Sequence, residues 1–455
     1  MEGSRRAAKA RREGKAEKPA KAAGRAFPSE EYAGRLDRVH ERMAEKGFDA
    51  LLITSPENIY YLCGLDHQGY FAFQMLVVPA EGQPVLITRA MERAIVRDRV
   101  PDVRHIGYSD GIAPLPPAAE GGEDLVLDGS MKGGGRSGLR PWSMSLGVSV
   151  RRPEIPLDDM PAAARSTCEA LQEMGLETSR LGVEKAGSFL PVKIYEELRR
   201  GLPDADWQDA SGVVDDCRII QSPRELVYTR QAAAISEAML FAGMAVAGPG
   251  VNEQDVMAAI YQAMFTRGGT YPGFVPLVRT TRTIQHEHGT WYNEQLRRGD
   301  MLFLEMAGCV RRYHAPMGRL AFIGRVPRQT ERVQRICREA IEKAAEAIAP
   351  GVKAKEVYAA WKGVLDRYGL SHYHRHHCGY SVGIGYPPSW SGSGVPVGLR
   401  GDSEMELQPG MVFHLMSWML RTGKGDYFLS DTVIVTERGA ELLTGDVPRG
   451  IIVRG

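Results

Sequence analysis

The sequence predicts an α+β protein of two domains, in which a smaller α/β domain precedes a larger domain of helices and sheet. Helical and strand-like segments alternate from residue 30 to residue 202, which is typical of an α/β domain. After residue 221, an order of two helices followed by strands occurs twice. With 455 residues, the chain is long enough for two or three domains with sizeable cores.

The predicted boundaries follow changes in composition. Residues 1–28 begin with a run of Ala, Lys, Arg and Gly without an apolar segment, so we predict a disordered basic tail. Residues 29–215 form the first domain, with an irregular insert at 111–156 that is rich in Gly, Pro and Ser. Residues 216–455 form the second domain.

Composition restricts the class of protein. The hydrophobic share of 43%, the charged share of 25% and the net charge of +1 are typical of an ordinary globular protein. We therefore expect no nucleic-acid partner and no membrane partner. Six scattered cysteines without a CxxC pair indicate free thiols in a reducing, cytoplasmic compartment.

Helix and strand signals are strongest at a few places. Apolar residues at helical spacing predict helices in both domains, and Ser222 with Pro223 and Glu225 forms a capping signal for a long helix. The further predicted helices are Glu30–Lys46, Pro56–Gly64, Glu253–Met264, Gln329–Ala347 and Ala354–Tyr368. The predicted strands of the first domain include Phe48–Thr54, Phe73–Pro79 and Pro84–Thr88.

Residues 296–324 are predicted to form a β-hairpin in the second domain. Gly299 and Asp300 form a turn, Met301–Ala307 is an apolar strand that Gly308 ends, and Leu320–Ile323 is apolar again.

Glu305 does not fit the apolar pattern of this hairpin. Strand alternation places it on the same face as Phe303 and Ala307. A carboxylate in a buried strand is costly unless it has a partner or a chemical task. An edge strand or a structural ion pair would explain it equally well.

The hairpin resembles the family of prolidase, aminopeptidase P and creatinase. The resemblance rests on Gly299-Asp300, Glu305, Ala307-Gly308, Tyr313 and Arg319. A further similarity is ENIYYLCGL at Glu57–Leu65 in the first domain. The resemblance implies a pita-bread catalytic domain behind a creatinase-type N-terminal domain. It also implies a homodimer in which the N-terminal domain of the partner subunit caps the site.

The peptidases of this family hold two metal ions with five side chains. The positions that match those ligands carry Glu305, Pro316, Cys378, Met416 and Ser430. Catalytic divalent ions require several deprotonated oxygen or nitrogen ligands, so we expect neither a two-metal centre nor another cofactor. The histidines between His372 and His377 are a weaker alternative place for a metal ion.

Longer segments are similar to the ectoine hydrolases of this family. They are Glu305–Cys309, Arg311–His314 and Gly379–Trp390. The resemblance implies hydrolysis of a C–N bond in a small zwitterionic amidine, with ectoine opened to N-acetyl-diaminobutyrate. Creatinase uses a histidine twelve residues before the aspartate of the hairpin turn, a position that His288 occupies here.

The implied roles follow from this chemistry. Glu305 acts as nucleophile or base on the amidine carbon, and His288 acts as general acid and base. Arginines suit a substrate carboxylate, and tyrosines suit stacking around the ring. The predicted substrate-binding residues are Arg279, His286, Tyr313, His314, Arg319, Cys378, Tyr380 and Tyr386.

Three other functions remain open from the sequence. A creatinase-like amidinohydrolase would release urea, and an Xaa-Pro metallopeptidase would require metal. A relative without catalytic activity would bind its ligand and leave it unchanged.

Overall fold

The computed structural model describes residues 24–108, 160–392, 397–420 and 426–455. Two compact units form the molecule: Tyr32–Cys217, and Arg218–Gly455 together with the residues up to Glu31. The predicted domain boundary at residue 215 lies two residues before this division. The predicted insert at 111–156 lies outside the described residues.

The first domain is built on a six-stranded mixed sheet with the order β4-β3-β2-β1-β5-β6. Its strands are β1 (Ala50–Ile53), β2 (Met75–Pro79), β3 (Val85–Arg89), β4 (Arg104–Tyr108), β5 (Arg180–Val183) and β6 (Asp206–Asp209). The helices of this part of the chain are α1 (Ser29–Lys46), α2 (Pro56–Cys63), α3 (Arg93–Arg99), α4 (Met160–Glu173), α5 (Val192–Gly201) and α6 (Val213–Arg218).

The second domain contains an eight-stranded sheet with the main order β10-β11-β12-β9-β8-β7. Its strands are β7 (Leu277–Thr280), β8 (Met301–Val310), β9 (Tyr313–Ile323), β10 (Gly379–Ser381), β11 (Val412–Met419), β12 (Tyr427–Thr436), β13 (Gly439–Leu442) and β14 (Ile452–Arg454). Its helices are α7 (Pro223–Val246), α8 (Glu253–Thr266), α9 (Thr330–Ala347) and α10 (Ala354–Arg367). Of the helices described, none is long and apolar enough to cross a membrane.

All four helices of the second domain pack on one face of its sheet. Leu304 and Met317, on the back of β8 and β9, lie in one apolar cluster with residues of α7 and α8. On the back of β11, the Ser417 hydroxyl accepts a hydrogen bond from the Trp361 indole of α10 and contacts the Cys337 thiol of α9. Because side chains alternate along a strand, Glu305 projects from the opposite face.

The predicted start of α7 is confirmed. Ser222 Oγ accepts a hydrogen bond from the Glu225 amide, and the Glu225 carboxylate accepts one from the Ser222 amide. Pro223 occupies the first turn, where its missing N–H would have no helical partner.

The prediction that Gly308 ends the first strand of the hairpin is wrong. Strand β8 continues to Val310, and Gly308 pairs with Ala315 of β9. A Cβ atom on Gly308 would lie 2.3 Å from the Ala232 carbonyl oxygen of α7. Glycine is therefore required by the close approach of the helix and not by a turn.

The end of the predicted disordered tail is also corrected. Phe27 is only 4% exposed and packs edge-on against Tyr228 and Tyr313. The Tyr228 hydroxyl donates a hydrogen bond of 2.6 Å to the Ala26 carbonyl. The aromatic side chain at the end of the basic run thus anchors residues 24–28 on the second domain.

Candidate active site

One row of side chains crosses the front of the second sheet. Directly opposed residues of antiparallel strands project to the same side, so the pairing defines the row. It contains Leu277, Glu305, Gly318, Ser430 and Met416, on β7, β8, β9, β12 and β11. The only carboxylate in this row is Glu305.

The side chains in and beside this row do not fit a two-metal centre. Met416 and Ser430 carry a thioether and a neutral hydroxyl, and Pro316 has no side-chain donor. Burial raises the pKa of Cys378, which keeps its thiol protonated. Within the described ranges, no group of three His, Cys, Asp or Glu side chains is placed to hold a metal ion.

Glu305 is a buried carboxylate with an altered acidity. Burial raises its pKa to about 7, although the positive charges of Arg279 and Arg375 act in the opposite direction. No described residue donates a hydrogen bond to its carboxylate. The His414 Nε2 atom lies 3.8 Å from Glu305 Oε1, beyond hydrogen-bond distance.

His414 is a residue that the sequence analysis missed. It lies on β11 opposite Tyr380, and its Nδ1 atom is 3.0 Å from the Tyr380 hydroxyl. The Trp390 indole N–H donates to the same hydroxyl over 2.9 Å. Strand alternation two residues before Met416 was the available signal, because both side chains project to the front.

Arg279 lies on the same face as Glu305, opposite Phe303 on the paired strand. Its guanidinium carbon is 3.9 Å from the centre of the Phe303 ring. Nη1 donates to the carbonyls of Ile284 and His286, at 3.2 and 2.7 Å. Nε and Nη2 are buried and have no hydrogen-bond partner among the described residues. This buried guanidinium retains donors for an anion.

A cavity of about 280 Å³ lies next to Arg279, which donates a hydrogen bond to the carbonyl of Ile284 in its wall; Arg279 and Glu305 themselves do not line it. Arg375, which the sequence analysis also missed, stacks over the Trp418 ring at 4.8 Å. Arg279 approaches the same ring at 5.3 Å. The residues that line the cavity are Ile284, Gln285, Glu287, Tyr373, His374, Arg375, Trp418 and Leu420.

The two predicted loop histidines lie on the exposed segment after β7. The His288 ring is 6.3 Å from the Phe274 ring, which in turn packs on Trp390 at 5.1 Å. His286 Nδ1 is 3.3 Å from the Tyr292 hydroxyl. An aromatic chain of Phe274 and Trp390 thus connects His288 with the surroundings of His414.

The structure does not bring Arg319 and Tyr313 to Glu305, so their predicted contact with substrate is corrected. Both side chains project to the back of the sheet. Arg319 forms a fully buried ion pair of 2.9 Å with Asp431. The Tyr313 hydroxyl donates to the Glu225 carboxylate over 2.7 Å. The Arg319 ion pair joins β9 to β12 within the sheet, and the Tyr313 hydrogen bond joins β9 to α7.

Three more predicted residues have structural contacts. His314 projects to the front, but Nε2 accepts from the Gly273 amide and Nδ1 lies 3.2 Å from the Gly383 carbonyl. Burial lowers its pKa to about 3. The guanidinium carbon of Arg312 lies 4.4 Å from the centre of the Tyr386 ring, and Cys378 lies in the apolar core.

The histidine cluster shows contacts between rings but no ligand set. The rings of His376 and His377 are 4.2 Å apart, and burial lowers the pKa of His377 to about 3. His372 and His374 are exposed.

The two domains, and a site on the front of a sheet backed by four helices, define the class of pita-bread hydrolases. Residues 35–220 match the Creatinase/Prolidase N-terminal domain, and residues 228–437 match Metallopeptidase family M24. The chain belongs to this family and is a hydrolase of it. The predicted family and fold class are confirmed.

Two similar proteins are named for different hydrolytic activities. The ectoine hydrolase of Halomonas elongata is 30% identical over 94% of this chain and 98% of its own. The Xaa-Pro dipeptidase of Pyrococcus horikoshii is 25% identical over 61% of this chain and 74% of its own.

Solved structures show the same fold. The prolidase from Thermococcus sibiricus has a TM-score of 0.73 and 19% identity, over 93% of this chain and 99% of its own. For the prolidase from Pyrococcus horikoshii, the TM-score is 0.69 with 20% identity, over 90% and 98% of the two chains. Likeness at this level of identity shows the fold alone.

Proposed function

We propose that the protein is a metal-independent hydrolase of a small zwitterionic amidine, and that it opens the ring of ectoine to N-acetyl-diaminobutyrate. The observation that carries the proposal is the lone buried carboxylate Glu305 on a face whose other ligand positions lack charged donors. Similarity to the ectoine hydrolase of Halomonas elongata supports the substrate class.

The charges of the site complement such a substrate. An amidinium is a planar cation that suits the Glu305 carboxylate, while a substrate carboxylate suits the two available donors of Arg279. Arg282 is a poorer candidate for the anion, because it already pairs with Glu294 and Asp300. The buried site strengthens both attractions by excluding water.

The reaction needs one proton acceptor and one proton donor. Water adds to the amidine carbon, and its proton passes to ionised Glu305. The C–N bond then breaks with its electron pair going to nitrogen, which takes a proton from His288. The hydroxyl left on the carbon gives its proton back to His288 as the amide carbonyl forms, and the proton on Glu305 passes to the released amine. In the alternative route, Glu305 attacks the carbon itself, and mass spectrometry of acid-quenched enzyme then detects an adduct on its peptide.

The role of His288 is testable by itself. We expect His288→Ala to lower kcat by about a hundredfold, the usual scale for a proton-transfer group. His286→Ala is the comparison variant on the same exposed loop: its imidazole lies 3.3 Å from the Tyr292 hydroxyl, so a substrate contact of His286 would change KM and leave kcat near normal. Near-normal turnover of the His288 variant would mean that His288 is not the proton donor.

The substrate is tested by proton NMR of purified protein with ectoine, 5-hydroxyectoine, creatine and a Gly-Pro peptide. We expect conversion of the ectoines, unchanged by a chelator. Release of urea from creatine would indicate an amidinohydrolase, and peptide cleavage abolished by the chelator would indicate a metallopeptidase. Tight binding of ectoine without conversion would indicate a binding protein.

We also propose a cytoplasmic homodimer whose site is capped by the N-terminal domain of the partner subunit. The six cysteines are free, buried thiols in the structure, which suits a reducing compartment. Sedimentation equilibrium tests the assembly, and a fully active monomer would contradict it.

A further inference from the structure

We propose that Trp390 and Tyr380 fix the tautomer of His414, so that its Nε2–H is a permanent neutral donor directed at Glu305. His414 would then be a positioning residue, which orients the reacting carboxylate without exchanging a proton. The consequence for catalysis rests on the proposed function, whereas the tautomer is a property of the folded protein alone.

The assignment follows from the donors and acceptors in contact. The indole N–H of Trp390 only donates, so the Tyr380 oxygen accepts in their 2.9 Å hydrogen bond. The second contact of this hydroxyl is His414 Nδ1, at 3.0 Å. If Nδ1 carried the proton, the hydroxyl hydrogen of Tyr380 would have no acceptor among the described residues. Tyr380 therefore donates to Nδ1, and the ring hydrogen is on Nε2.

The surroundings keep the His414 ring neutral and the Tyr380 hydroxyl protonated. His414 is completely buried, and burial lowers its pKa to about 3, so the imidazole stays neutral. Burial and the nearby Glu305 charge raise the pKa of Tyr380, so its hydroxyl keeps its proton. The two residues are directly paired on β10 and β11, and their rings are perpendicular with centres 5.3 Å apart.

The other ring nitrogen faces the reacting group. His414 Nε2 has no hydrogen-bond partner within the described part of the chain, and Glu305 Oε1 lies 3.8 Å away. Hydrogen bonds of catalytic groups are often long in ligand-free structures and shorten when substrate binds. An N–H at this position selects one orientation of the carboxylate and favours its ionised form.

The tautomer is measured directly by nitrogen-15 NMR of histidine-labelled full-length protein. Protonated and unprotonated ring nitrogens have well-separated shifts, and the His414 signals are those lost in His414→Gln. We expect hydrogen on Nε2 in the wild type, and mixed tautomers in Tyr380→Phe. Hydrogen on Nδ1 in the wild type would overturn the proposal.

A pair of substitutions tests the role in turnover. The Gln side chain places an amide N–H near the Nε2 position, whereas Asn reaches only the Nδ1 position, and neither residue titrates. With ectoine, we expect His414→Asn to lose about tenfold to a hundredfold in kcat with little change in KM. His414→Gln should retain most of the rate.

Equal losses in both variants, with unchanged thermal midpoints, would show proton transfer by His414 and contradict the positioning role. Failure of the proposed function is a separate outcome. In that case the wild type converts none of the amidines, while the nitrogen-15 spectrum still decides the tautomer.

Discussion

Glu184 in the first domain and Glu305 in the second are both buried carboxylates whose pKa burial raises to about 7. Glu184 accepts hydrogen bonds from the amides of Thr54 and Ser55, the Ser55 hydroxyl and the Asn58 amide group. These bonds hold the start of α2 at the end of β5, where a helix N-terminus favours a negative charge.

Glu305 has the same burial and a similar acidity but no hydrogen bond from a described residue. The comparison shows that a raised pKa alone does not separate a structural carboxylate from a reactive one. The number of hydrogen bonds that the carboxylate accepts does separate the two, because a buried oxygen without a hydrogen bond is available to a substrate.

The largest expected effect is on turnover. We expect Glu305→Gln to reduce kcat by about a thousandfold or more, because the amide neither attacks carbon nor takes a proton. Glu184→Gln is the matched control, which should retain near-normal kcat in the protein that folds. Circular dichroism confirms folding, and similar losses in both variants would remove the distinction between the two carboxylates.

The next effect is on stability, which the same substitution should increase. A carboxyl group with a raised folded pKa stabilises below its unfolded pKa, and this contribution is lost as pH rises through about 7. Glu305→Gln should therefore be more stable than the wild type at pH 8, by up to about 3 kcal/mol. At pH 4 the difference should vanish.

Glu184→Gln sharpens this stability comparison. It relieves the same burial but weakens hydrogen bonds to a carboxylate, so its gain at pH 8 should be smaller. Urea denaturation at both pH values measures the two differences. A larger gain for the Glu184 variant would contradict the assignment of roles.

A smaller effect is expected at the anion end of the site. Arg279→Gln should raise KM for ectoine by about tenfold to a hundredfold, the range for a hydrogen bond between charged groups. Arg282→Gln, which removes a charge already paired with Glu294 and Asp300, is the control. Steady-state kinetics distinguishes them, and equal KM values for the two variants would exclude Arg279 as the carboxylate site.

The last expected effect is a gradual change of kcat/KM with pH. If ionised Glu305 is the base, kcat/KM should rise about tenfold per pH unit below 7. A rate that does not rise between pH 5 and pH 7 would contradict ionised Glu305 as the base. The measurement needs only the wild type in buffers from pH 5 to 9.

Much of the fold was predictable because it depends on local signals. The capping residues of α7 and the turn at Gly299 that precedes β8 are encoded within a few positions of the chain. The role of Gly308 depends on Ala232, which is distant in sequence, so local signals alone predict the end of a strand at this glycine. The partners of Phe27, Tyr228 and Tyr313, are also distant in sequence, so local signals do not predict that Phe27 is anchored.

The sequence by itself determined the family, the two domains and the loss of charged donors at four ligand positions, because these depend only on residue types in order. The tertiary structure decided which arginine and which histidine stand beside Glu305. Strand pairing directs Arg279 and His414 to the front and Arg319 to the back, and a one-residue shift in register would exchange the faces.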